Sequence, residues 1–71
     1  MNQGDKVWVF FPMAPRNEMI AECVVAEWPK NDVAAKVWIV NRPRVRPYVV
    51  FKFDCFPSRE ALCEYYRKIF E

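Results

Sequence analysis

Apolar and polar residues alternate with a short period over most of this chain and switch to a longer period only at its end. Residues 5–11 include Lys6-Val7-Trp8-Val9-Phe10-Phe11, a β-branched and aromatic run launched by a Gly4-Asp5 turn and stopped by Pro12, which predicts a first strand. Pro12 to Asn17 has loop chemistry, and residues 19–28, with Ile20, Val24 and Val25 ahead of Pro29, predict a second. Lys30-Asn31-Asp32 reads as a turn. Beyond it, residues 33–40, centred on Val37-Trp38-Ile39-Val40, predict a third strand. Residues 48–54, from Tyr48 to Asp54, predict a fourth in a hairpin with the third. Leu62, Tyr65, Tyr66, Ile69 and Phe70 then recur at helical spacing, which predicts an amphipathic helix over residues 58–70. Ser58 is its expected N-cap, Glu60 suits the positive end of its dipole, and Phe56 and Pro57 are placed to pack near Leu62.

The expected fold is therefore mainly β with one C-terminal helix, in the order β-β-β-β-α, as a single domain over residues 1–71. A chain of this length has no room for a second lobe. Two architectures suit such elements: a small SH3-like barrel, which is preferred, and an open antiparallel sheet with the helix packed across one face. The two periodicities nominate Val7, Val9, Val37, Ile39, Val49, Phe51, Leu62, Tyr66 and Ile69 as core. Because both faces of the strands are apolar, one face is expected inside the barrel and the other beneath the helix. An uncovered aromatic patch would mark a partner or dimer surface.

Gly4-Asp5-Lys6-Val7-Trp8-Val9-Phe10 resembles the first strand of SH3-like and Tudor-like barrels, and Phe56-Pro57-Ser58-Arg59-Glu60-Ala61-Leu62 is similar to the strand-to-helix junction of small barrel proteins encoded by bacteria, phages and plasmids. The resemblance implies an architecture and an origin on a phage or other mobile element. Neither segment carries a functional residue, so it implies no activity.

Composition strengthens the case for a packed core. Hydrophobic residues make up 54 % of the chain, and three Trp, three Tyr and six Phe supply the side chains that bury most area each, which excludes disorder. Cys23, Cys55 and Cys63 are odd in number and their spacing matches neither a disulfide framework nor a zinc finger, so free thiols and no metal are expected. No apolar run approaches the roughly 20 residues that cross a bilayer, and the start of the chain lacks signal-peptide chemistry, so a cytoplasmic protein is expected. Without histidine, the usual activator of serine and cysteine nucleophiles is missing, and a single glycine cannot build a phosphate-binding loop. No enzyme activity, small-molecule substrate or cofactor is expected.

Charge distribution changes the picture more than the net +2 does. Residues 33–53 hold Lys36, Arg42, Arg44, Arg46 and Lys52 with no acid, whereas Asp5, Glu18, Glu22, Glu27 and Asp32 precede them. Within Arg42-Pro43-Arg44-Val45-Arg46-Pro47 the prolines favour extended backbone, which would set three guanidinium groups on one side as a comb for phosphates or carboxylates. Trp38 and Tyr48 stand nearby for base stacking. The plainer reading, that these arginines keep a hairpin soluble and blunt a sheet edge, is preferred. The leading function is a non-enzymatic module that binds a protein partner or itself through an aromatic patch or strand edge. A nucleic-acid-binding barrel using Arg42, Arg44, Arg46, Trp38 and Tyr48 is the alternative.

Overall fold

The computed structural model describes residues 1–67. It contains the strands β1 (Lys6–Phe10), β2 (Ile20–Glu27), β3 (Ala34–Ile39), β4 (Tyr48–Phe51) and β5 (Cys55–Phe56), and the helix α1 (Arg59–Tyr65). All pairings are antiparallel and the strand order is β4-β3-β2-β1-β5. Of the two expected architectures, the chain forms the open sheet with its helix on one face. β4 and β5 are its two ends, and no ladder joins them among the described residues.

Gly4 sets the start of the first ladder. Its φ of +90° suits glycine alone, and its N–H donates to the Val25 carbonyl at 2.8 Å while the Val25 N–H returns a bond to the Asp5 carbonyl at 2.9 Å. This pins Val7 opposite Cys23 and Val9 opposite Ala21. The inner face that results, Val7, Val9, Cys23, Val25, Val37, Val50 and Cys55, is the main core, rimmed by Phe11, Trp28, Ile39 and Tyr48. Between Val25 and Glu27 the register against β3 slips, a bulge that increases the local twist.

Alternation sends Trp8 and Phe10 to the other face of β1, where Trp8 stands opposite Phe56 and the Phe10 ring stacks on Tyr66 with 4.3 Å between centroids. That face receives α1. Ser58 caps the helix by accepting the Ala61 N–H at 3.1 Å, and Leu62 is wholly buried. The seven residues of α1 span about 10 Å and pack against β1 and β5, the end of the sheet they cover.

Several expectations are corrected. The fourth strand, expected over residues 48–54, ends at Phe51. Lys52–Asp54 forms a 3-10 turn closed by the Cys55 N–H on the Lys52 carbonyl, and the chain then makes the short β5. The turn brings Asp54 inward, where its carboxylate takes the Tyr66 hydroxyl at 2.7 Å. Val49 and Phe51, expected in the core, are exposed, and Tyr48 and Val50 point inward in their place. The pairing of Val50 with Ala35 and Tyr48 with Val37 decides this, because a shift of one residue exchanges the faces of a whole strand. Tyr65 is exposed because Leu62 and Tyr66 occupy the buried side of α1. Ile69 and Phe70 lie outside the described residues.

Candidate functional site

The basic segment does not form a comb. Asn41 adopts a left-handed φ of 71°, the Arg42 N–H closes a turn onto the Ile39 carbonyl at 3.2 Å, and the backbone bends again at Val45 and Arg46. Arg42 forms an ion pair with Glu18, reaching the loop between β1 and β2. The Arg44 guanidinium lies 3.9 Å from the centre of the Tyr48 ring, a cation–π contact that spends one stacking face of that tyrosine. Arg46 is exposed.

Trp38 and Tyr48 separate in the same way. Tyr48 pairs with the buried Val37 on the inner face and meets Phe11 edge to face at 5.8 Å, whereas Trp38 alternates to the outer face opposite Val24. The sheet therefore divides the two aromatics nominated for stacking.

A different cluster is brought together at the β4 end. Val49 and Phe51 project from the outer face at 68 % and 51 % exposure, and Phe53 beside them is 65 % exposed. The Phe51 and Phe53 rings stack in parallel with centroids 5.0 Å apart. These three side chains make an apolar patch, bordered by Lys36, which stands opposite Val49 and whose ammonium pairs with Glu27 at 3.4 Å. Lys52 turns away from the patch to the Pro29 carbonyl and stands 5.3 Å from the Trp28 ring.

Between β4 and the end of β1 lies a groove of about 590 Å³. Phe10, Phe11, Tyr48 and Val50 give it aromatic and aliphatic walls, and Glu18, Glu22 and Asp54 also line it. Among the described residues that line it the one cation is Arg42, already held by Glu18. Burial and the hydrogen bond to Asp54 push the Tyr66 phenol up to about 12.

Cys23 and Cys55 are buried thiols with no activating partner among the described residues. Burial raises Cys23 to about 12, with the nearby Cys55 and Glu22 adding to it, and burial followed by the charge of Asp54 raises Cys55 to about 11. Both thiols are spent as weak donors, Cys23 to the Ala21 carbonyl and Cys55 to the Phe51 carbonyl. Among the described residues no group of three or more His, Cys, Asp or Glu is arranged to hold a metal ion, and no helix is long and apolar enough to cross a membrane.

Val49, Phe51 and Phe53 were not nominated as site residues from the sequence. The available signal was that residues 48–51 are apolar on both alternations, which demands cover on two faces. No family model, curated protein or solved structure matches the chain.

Proposed function

We propose that this domain is a non-enzymatic protein-binding module that docks a partner protein on the outer face of the sheet at β4. The observation that carries the reading is the exposed outer-face patch of Val49, Phe51 and Phe53. Each square ångström of apolar surface withdrawn from water on docking contributes about 25 cal/mol, so two stacked phenylalanines form a strong anchor.

The alternative, nucleic-acid binding, is weakened by the engagement of Arg42 with Glu18, by Arg44 on the Tyr48 ring, and by the opposite orientations of Trp38 and Tyr48. Fluorescence anisotropy with a labelled single strand and a labelled duplex at two salt concentrations separates the readings. Protein binding predicts weak, sequence-blind association at physiological salt. Submicromolar binding that weakens steeply with salt and disappears when Arg42, Arg44 and Arg46 are all changed to Ala would overturn it.

A further inference from the structure

We infer that the free edge of β4 accepts an extended segment of the partner protein as an added strand, with a basic side chain of that segment turned toward the carboxylates of the groove. This deepens the protein-binding reading and rests on it.

Backbone direction supplies the first step. The Lys52 N–H faces Val33, on the β3 side. In an antiparallel ladder the hydrogen-bonding direction alternates residue by residue, so Val50 and Tyr48 also face β3, as their pairing with Ala35 and Val37 requires. The N–H and C=O of Val49 and the N–H of Phe51 then point to the unpaired edge. The Phe51 carbonyl points there too, and it accepts the Cys55 thiol at 3.5 Å.

The groove lies along that edge. Tyr48, Val49, Val50 and Phe51 all line it, although side chains of consecutive strand residues point to opposite faces. A groove that meets both parities of a strand meets its backbone edge. The edge is about 13 Å long at some 3.3 Å per residue, which suits a short extended segment. The groove volume of about 590 Å³ is that of a ligand site.

Charge selects the occupant. Among the described residues Glu18, Glu22 and Asp54 line the groove against Arg42, and Glu18 already neutralises Arg42. An added strand alternates its own side chains. One set enters the groove, where lysine or arginine complements the acids, and the other lies on the outer face beside Val49 and Phe51, where an apolar side chain extends the patch. The chain's own basic segment is a poor occupant for a neighbouring copy, since Arg42 and Arg44 are engaged within their own molecule.

The test uses the full chain and a short synthetic peptide alternating valine with lysine, followed by amide NMR and hydrogen exchange. The expected result is binding that slows exchange of the Val49 and Phe51 amides. Glutamate in place of lysine should weaken binding roughly tenfold or more, and N-methylation of alternate peptide amides should abolish it. Val49→Pro removes an N–H that faces the open edge and no ladder bond, so it should lose peptide binding at an unchanged melting temperature. Binding that leaves the Val49 and Phe51 amides unprotected, equal affinity for the glutamate peptide, or full affinity of the N-methylated peptide would overturn the inference. If the lysine peptide fails to bind while a native-host protein is still captured through Phe51 and Phe53, strand addition falls and the protein-binding reading stands; if that capture fails too, both fall.

Discussion

The Tyr66 hydroxyl donates to Asp54 Oδ1 at 2.7 Å, so the last turn of the helix is tied to the 3-10 turn that precedes β5. The Tyr66 ring also stacks on Phe10 of β1. One side chain thereby connects three segments distant in sequence, and it holds the turn that separates β5 from β4.

Tyr66→Phe keeps the ring stack and deletes only the hydroxyl, which leaves the buried Asp54 without this donor. Such a loss costs about 1 to 3 kcal/mol. A urea melt should show a lower midpoint at an unchanged slope, and an unchanged midpoint would show that the bond contributes nothing to stability.

Alkaline pH should destabilise the fold in a defined window. Cys23 is raised from 9.0 to about 12, Cys55 from 9.0 to about 11 and Tyr66 from 10.0 to about 12. Each group holds its proton more tightly when folded, so its contribution is complete below its unfolded value and is lost as pH climbs toward the folded one. The melting temperature should therefore be level up to about pH 9 and fall beyond it. Cys23→Ala lowers stability at neutral pH by opening a cavity, but it should flatten this decline. A decline as steep in the variant as in the wild type would remove Cys23 from the account.

The two faces of β4 should respond differently to substitution. Val50→Ala removes two methyl groups from the inner core and should cost about 1.5 kcal/mol, whereas Val49→Thr, on the outer face, should stay within about 0.5 kcal/mol. Leu62→Ala, at a wholly buried position of α1, should cost about 2 to 5 kcal/mol. Equal costs at Val49 and Val50 would mean that the register of β4 against β3 is wrong.

These residues also mark where sequence reasoning stops. The order of strands and helix and the Ser58 cap were legible because each rests on local chemistry: a β-branched run, a proline stop, a side-chain acceptor three residues before an N–H. The face of β4 was not legible. Tyr48 and Val50 are as apolar as Val49 and Phe51, so period-two alternation nominates both sets, and only the non-local pairing of Ala35 with Val50 separates them. The strand β5 is two residues long and leaves no periodic signal. The comb, the less favoured reading of the arginine segment, rested on prolines that favour extended backbone locally, while the left-handed Asn41 and the distant Glu18 decide where Arg42 goes. The candidate patch stayed hidden for the same reason as the face of β4, since it consists of the side chains that the wrong register would have buried.

Capture from an extract of the native host tests the central claim most directly, with three baits compared by mass spectrometry for protein and by sequencing for nucleic acid. The baits are the wild-type chain, a Phe51→Ser, Phe53→Ser variant, and an Arg42→Ala, Arg44→Ala, Arg46→Ala variant. All changes lie at exposed positions and should leave the melt intact. The account predicts one protein retained by the wild type and by the arginine variant and lost from the phenylalanine variant. Retention of that protein by the phenylalanine variant, or nucleic acid held by the wild type and released by the arginine variant, would contradict it.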